Sequence, residues 1–234
     1  GCTTAADHHY LFPTDGGDVL GAVVDAAQQI GIRLHLVRGS MDRGRSDGGL
    51  PPDSVVESTE DALVGAQRAI ERFHDPAPGA MVRVAVGPCS PFTVTSDLLR
   101  RSAELAREHG VRLHTHLAET AEEEQQCRAE TGLTPVEFAE EPGWLGPDVW
   151  LAHAVHLSGA AIDRLAATGS GVAHCPSSNG RLGAGVAPVR PLLDAGVPVG
   201  LGVDGVASNE HGGLGQEMRQ ALLTARSRYG PRAL

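Results

Sequence analysis

Residues 95–117 read TSDLLRRSAELAREHGVRLHTHL and contain one repeat of the pattern that decides the fold. The apolar residues of the first part recur at the spacing of one helical face, and Gly110 ends this helix. An apolar, strand-like run follows directly at 111–117. Strands that alternate with helices in this way are typical of a parallel sheet covered by helices.

The same alternation runs along the whole chain, without a linker or a shift in composition. The strand-like runs cover residues 1–6, 32–37, 81–86, 111–117, 149–155, 171–175 and 197–203. Seven consecutive strand–helix units are more than a doubly wound sheet usually contains and one fewer than an eight-fold barrel. We therefore expect an α/β fold, a (β/α)8 TIM barrel with strands 2–8 present. The Gly-, Asp- and Pro-rich stretch at 39–54 predicts an active-site loop because it is too long for a simple connection.

The composition excludes several classes of protein. The 234 residues carry 19 basic and 29 acidic side chains, a net charge of −10, which argues against a nucleic-acid partner. No apolar run is long enough to cross a membrane, and no signal-peptide pattern is present. The four cysteines form no CxxC pair, so we expect a reducing, cytoplasmic location. With 41% apolar but only 3% aromatic residues, the core must consist of Ala, Val, Leu and Ile.

Histidine and carboxylate side chains gather where the predicted strands end, the place where barrels carry their chemistry. Imidazole and carboxylate suit zinc or iron(II), and a carboxylate beside an activated water can act as a general acid or base. Any one of these residues alone would be read as a core or surface residue, but four strand ends together favour a metal site. The strand-end residues are Asp7, His8, His9, His114, His116, Glu119, His153, His156 and Asp204.

Three other motifs are interpreted as structural. The G-x-G-x-x-G match at 200–205 lies inside a strand, where it cannot cradle a dinucleotide. Cys175 is expected to be a small buried hydrophobe rather than a nucleophile. The run of three glutamates from Glu122 to Glu124 predicts a solvated first helical turn.

Several stretches together resemble the amidohydrolase superfamily, in its branch of metal-dependent purine, pterin and triazine deaminases. The stretches are GCTTAADHHYLFP at 1–13, RGSMDRGRSDGGLPPDSVVE at 38–57, PCSPFTVT at 88–95, HTHLAET at 114–120, WLAHAVHL at 150–157, AHCPSSN at 173–179 and GLGVDGVASNE at 200–210. The resemblance implies one divalent metal, zinc or iron(II), at the mouth of the barrel.

The resemblance also implies roles for five residues. His116 would bind the metal, and Glu119 would shuttle a proton. His153 would bind either the metal or the substrate and its attacking water. Asp204 would touch the metal and serve as the base, and Asn179 would line the substrate pocket.

The activity implied is hydrolytic deamination of an aminopurine-like ring, with 8-oxoguanine converted to urate and ammonia. An s-triazine aminohydrolase or dechlorinase is the nearest alternative. The family's first strand carries an H-x-H pair, and both chain ends of the family build a β-sandwich. His114-Thr115-His116 has the same spelling but lies on the predicted strand 5. Neither the first-strand pair nor the β-sandwich is found in residues 1–234, so a partial barrel is expected, and a non-catalytic fragment with an incomplete metal site is the alternative of another class. Small aminated heterocycles are the expected partners, with a homo-oligomer in the full-length form.

Overall fold

The computed structural model describes residues 2–13 and 16–233. Its strands follow one another in the sheet in chain order. They are β1 (Thr4–His9), β2 (Arg33–Ser40), β3 (Val82–Pro88), β4 (Arg112–Leu117), β5 (Val149–His153), β6 (Gly171–His174) and β7 (Val199–Leu201). This order, with helices between the strands, confirms the predicted β/α-barrel topology, and β1–β7 correspond to the predicted strands 2–8.

Helices connect successive strands, and short polar caps begin most of them. They are α1 (Val19–Ile30), α2 (Thr59–Phe73), α3 (Ser96–Glu108), α4 (Ala121–Thr131), α5 (Pro135–Glu140), α6 (Gly159–Thr168), α7 (Pro176–Arg181), α8 (Val189–Asp194) and α9 (Leu214–Tyr229). Thr95 caps α3 and accepts from the backbone N–H of Leu98. None of the described helices combines the length and the apolar character needed to cross a membrane.

The first compact unit contains residues 2–115 and 142–144. In this unit β1 pairs with β2, β2 with β3, and β3 with β4, all in parallel. The central strands supply an aliphatic core in which Leu36, Val84 and Leu113 are fully buried. Residues 39–54 lie here and contain the end of β2 and a short 3₁₀ helix at Arg45–Asp47.

The second compact unit contains residues 116–141 and 145–233. Here β5 pairs with β6 and β6 with β7, both in parallel. The last residues of β4 belong to this unit, and the carbonyl of Leu117 accepts from the N–H of Ala154 just after β5. Leu151 and Leu165 are buried in its core. The ends of β4, β5, β6 and β7 therefore lie within one compact unit.

The predicted strand boundaries are wrong by a few residues at the first and last strands. The strand predicted at 1–6 occupies Thr4–His9, so Asp7, His8 and His9 lie within it rather than after it; Gly1 is outside the described residues. The last strand, predicted at 197–203, covers only Val199–Leu201. Apolar composition marks where a strand runs, but only backbone pairing decides where it ends.

Candidate active site

His153 lies close to two carboxylates in the second unit. It is the last residue of β5, and its side chain is almost completely buried. Its Nε2 lies 3.7 Å from Oε1 of Glu119 and 3.9 Å from Oδ2 of Asp204. These three residues, predicted from three different strand ends, are therefore brought together.

The orientation of the His153 ring is set by a buried amide. Nδ1 of His153 lies 2.8 Å from Oδ1 of Asn179, an oxygen that can only accept, so Nδ1 carries the hydrogen. In the neutral ring Nε2 then has a lone pair directed towards the carboxylates. Asn179 is 1% exposed, and its Nδ2 has no hydrogen-bond partner within the part of the chain that is described.

His116 lies against the same imidazole. Its ring is stacked on that of His153, with the centroids 5.3 Å apart and the planes 22° from parallel. His116 is in β4, three residues before Glu119. The predicted pair of His116 and Glu119 thus reaches His153 from the end of one neighbouring strand.

Asp204 is held as a carboxylate by hydroxyl and backbone donors. Oδ2 accepts from Ser178 Oγ at 2.5 Å and from Ser208 Oγ at 3.2 Å, and Oδ1 accepts from the N–H of Gly205 at 2.7 Å. Burial would raise the pKa of Asp204, but the bonds from Ser178 and Gly205, with His153 and His116 nearby, outweigh it and hold this pKa below its usual range. The group is therefore ionised and able to accept a proton.

The backbone is strained at these strand ends. All four described non-glycine residues with positive φ lie there: Ala118 at 54°, His153 at 70°, Ala154 at 49° and Asp204 at 62°. Left-handed conformations are costly for residues with a Cβ and persist only where surrounding contacts hold them, as they often do at functional sites. Such strain cannot be read from the residue pattern.

Glu123 corrects one prediction. It was expected in a solvated helical turn, but its side chain is 1% exposed and accepts from the N–H groups of Ala118 and Glu119. Burial raises the pKa of Glu123 to about 7, although the two N–H bonds act in the opposite direction. Its neighbour Glu122 is exposed, as predicted. The sequence does not distinguish the three glutamates, because the turn after Glu119 decides which of them points inward.

Two further buried side chains, Cys175 and His174, lie side by side at the end of β6, and only the first was predicted. Cys175 is buried as predicted, and burial, with Asp204 and Glu217 nearby, raises the pKa of its thiol to about 12, which excludes a thiolate nucleophile. His174 was not predicted as a site residue. Burial lowers its pKa to about 4, and its Nδ1 has no partner in the described chain. Its place at the end of β6, beside Cys175, is the signal that could have identified it.

The remaining strand-end histidines have other surroundings. His114 is buried in the first unit, where its ring centroid lies 4.8 Å from that of His8. His8 Nε2 is 2.7 Å from the carbonyl oxygen of Gly87. In the second unit, His156 Nε2 lies 2.9 Å from the carbonyl oxygen of Ala184. These contacts tie neighbouring strands and loops together.

Comparison with known proteins identifies the family. The profile of the amidohydrolase family matches residues 1–233. The chain belongs to the amidohydrolase family. The resemblance found in the sequence is thereby confirmed.

This amidohydrolase chain is similar to several named proteins. It is 50% identical over 230 residues, 98% of its length and 51% of the relative's, to 8-oxoguanine deaminase of Pseudomonas aeruginosa. It is 45% identical to hydroxydechloroatrazine ethylaminohydrolase of a Pseudomonas species, over 95% of this chain and 46% of the relative. The crystal structure of atrazine chlorohydrolase from Arthrobacter aurescens complexed with zinc matches with a TM-score of 0.94 at 38% identity, over 98% of this chain and 51% of that one. The chain spans about half the length of these relatives.

The donor types in this amidohydrolase unit suit a divalent metal only in part. Two imidazoles and two carboxylates lie together, and Asn179 holds Nδ1 of His153 as an outer partner holds a metal-binding histidine. Yet among residues 2–13 and 16–233 no group of three or more His, Cys, Asp or Glu side chains is placed to hold a metal ion. The described residues therefore fit part of a ligand set.

Proposed function

We propose that the protein containing this chain hydrolytically deaminates an aminated purine-like ring, with 8-oxoguanine as substrate and urate and ammonia as products. The observation that carries the proposal is the position of His153 Nε2, within 4 Å of both Glu119 and Asp204. Two carboxylates close to one imidazole nitrogen can accept a proton at one point and deliver one at another, as hydrolytic deamination requires.

In the proposed reaction Asp204 accepts a proton from the attacking water, whose oxygen bonds to the ring carbon bearing the amino group. Asp204 suits this role because its lowered pKa keeps it ionised. Glu119 delivers a proton to the adjacent ring nitrogen, so the tetrahedral intermediate forms without a free ring anion. The proton held by Asp204 then passes to the amino group, and the hydroxyl proton of the intermediate returns to Glu119 as the C–N bond breaks and ammonia leaves.

His153 and Asn179 position the reactants in this proposal. Because Asn179 accepts from Nδ1, Nε2 of His153 is left to face the water or substrate. Nδ2 of Asn179 is a buried donor that has no partner among residues 2–13 and 16–233, and such a donor is costly unless a ligand accepts from it. We assign it to an acceptor atom of the heterocycle.

We also propose that His116 and Asp204 help to hold one divalent metal, zinc or iron(II), with His153 as a further ligand or as the substrate contact. A bound divalent metal would supply Lewis-acid activation of water. The presence of further ligands and a β-sandwich outside residues 1–234, a homo-oligomer and a cytoplasmic location stay predictions.

The choice of substrate rests on likeness to named relatives. The 50% identical Pseudomonas aeruginosa protein is an 8-oxoguanine deaminase, and a 41% identical relative is an isoxanthopterin deaminase. The alternative, removal of an alkylamine or chloride from an s-triazine, is favoured by the 45% identical ethylaminohydrolase. In this proposal the two reactions use the same carboxylates, Glu119 and Asp204, and differ in the group that leaves the ring.

The test is a substrate panel assayed with the protein in its full natural length, loaded with zinc or iron(II). The panel contains 8-oxoguanine, guanine, isoxanthopterin and a hydroxylated alkylamino-s-triazine. We expect ammonia release and urate formation with the highest kcat/KM on 8-oxoguanine. Release of alkylamine from the triazine with no ammonia from the purines would replace the proposed substrate class, and turnover of none would overturn the proposed activity.

A further inference from the structure

The Glu123 side chain packs against the connection between β4 and α4. It is the third residue of α4, and its side chain is 1% exposed. Its Oε1 accepts from the N–H of Ala118 at 2.6 Å, and its Oε2 accepts from the N–H of Glu119 at 2.9 Å. Both oxygens thus bind the backbone that carries the Glu119 side chain.

This arrangement differs from an ordinary helix cap in the same unit. At α5, Thr134 and Glu137 form a capping box in which the glutamate accepts from the N–H of the cap residue itself. At α4 the cap is Thr120, which accepts from the N–H of Glu123. Glu123 occupies the position equivalent to Glu137 but reaches one and two residues further back. Its contacts therefore extend beyond capping the helix.

Both backbone polar groups of Ala118, its N–H and its carbonyl, are hydrogen-bonded. Its N–H is bound by Glu123, and its carbonyl accepts from the N–H of Val155 at 2.9 Å and of His156 at 2.8 Å. With φ at 54°, Ala118 adopts a left-handed conformation that its neighbours must enforce. Glu119 follows immediately, and its carboxylate faces His153 Nε2 at 3.7 Å.

We propose that Glu123 is a positioning residue that places the Glu119 carboxylate, by holding the strained backbone of Ala118 and Glu119 through both its oxygens. The inference rests on the proposed function, in which Glu119 delivers a proton. Displacing a proton donor by about 1 Å can lower the reaction rate about 100-fold. Glu123 therefore affects kcat through the position of Glu119, without touching the substrate.

The experiment uses three variants of the full-length protein. Glu123→Gln keeps the volume but turns an NH2 group towards one of the two N–H donors, and Glu123→Ala removes both acceptors. The matched control is Glu137→Gln, the same change at the equivalent position of α5. We expect Glu123→Gln to lower kcat by about 10- to 100-fold with KM within about threefold, and Glu137→Gln to leave both unchanged.

A double variant separates positioning from general destabilisation. In a Glu119→Gln background, Glu123→Gln should cause almost no further loss of kcat, because the group that it places has been removed. An equal loss in both backgrounds would overturn the proposal.

Amide hydrogen exchange tests the same inference without activity. In Glu123→Gln the N–H groups of Ala118 and Glu119 should exchange at least about tenfold faster, with the interior of β4 unchanged. Unchanged exchange at these two positions would overturn the proposal. If the wild type deaminates nothing in the panel, the proposed function fails, and the exchange result alone decides whether Glu123 holds this backbone. If Glu123→Ala does not fold, the Glu123→Gln measurements decide.

Discussion

Nδ1 of His153 donates a hydrogen bond of 2.8 Å to Oδ1 of Asn179. The two residues lie 26 positions apart, His153 at the end of β5 and Asn179 within α7. This contact selects which ring nitrogen of His153 faces Glu119 and Asp204. The amide of Asn179 thereby determines what His153 can do.

Removing the Asn179 side chain should disturb the orientation of the His153 ring. Asn179→Ala leaves Nδ1 of His153 without a buried partner, so the ring can rotate or change tautomer. We expect the affinity for zinc to fall by about 10- to 100-fold, measured by competition with a chelator. Asn179→Asp keeps an acceptor at the same place and should recover part of the affinity. Equal zinc affinity in wild type and Asn179→Ala would show that His153 is not a ligand.

Replacing the proposed proton donor should nearly abolish turnover. Glu119→Gln preserves the shape of the side chain but cannot transfer a proton, so kcat should fall by about 10²- to 10⁴-fold with little change in KM. The measurement is ammonia release under saturating substrate. Glu122→Gln, three residues further along on the exposed surface of α4, is the control and should retain wild-type kcat. A tenfold loss or less in Glu119→Gln would remove this carboxylate from the proposed chemistry.

The hydroxyl of Ser178 should matter through Asp204. Its 2.5 Å bond to Oδ2 is shorter than the bonds of Asp204 to Gly205 and Ser208. Because this bond fixes the position of Oδ2, Ser178→Ala should let the carboxylate move, and a displacement of about 1 Å is enough to lower kcat by about 10- to 100-fold. Ser177→Ala is the control, since Ser177 contacts Glu217 through its backbone N–H, which the substitution retains. Equal kcat in the two variants would contradict the assigned role.

His35 should make the fold sensitive to acid. Burial, with the nearby charges of Arg112 and Arg83, lowers the pKa of His35 from 6.5 to about 4. Between these pH values the unfolded chain takes up a proton that the folded chain does not, so stability is lost as the pH falls. The loss reaches about 3 kcal/mol at about 1.4 kcal/mol for each pKa unit.

Urea unfolding of the wild type and of His35→Gln at pH 7 and pH 4 checks this expectation. The free energy of unfolding should fall less in the variant on acidification, by about 3 kcal/mol. His109→Gln, at the exposed end of α3, serves as the control and should keep the wild-type acid loss. An identical loss in the wild type and His35→Gln would exclude His35 as its source.

The sequence alone was sufficient to predict the fold and the family, and it selected residues that the structure brings together around His153. Alternation of strands and helices is set by local periodicity, which is visible in residues such as Leu98 and Gly110. Because parallel strands of a barrel end on one side, the sequence places Glu119, His153 and Asp204 in one group. Stretches such as HTHLAET then pointed to the amidohydrolases.

Only the tertiary structure decided how those residues are held. Glu123 and Glu122 have the same chemistry, yet one is buried and the other exposed, because the left-handed turn at Ala118 directs the start of α4. The hydrogen bonds from His153 to Asn179 and from Ser178 to Asp204 each join residues 26 positions apart. Periodicity reports which face of an element is buried, whereas such contacts depend on how strand ends and turns meet in three dimensions. The types of residue in the site follow from local sequence, and their orientation follows from packing.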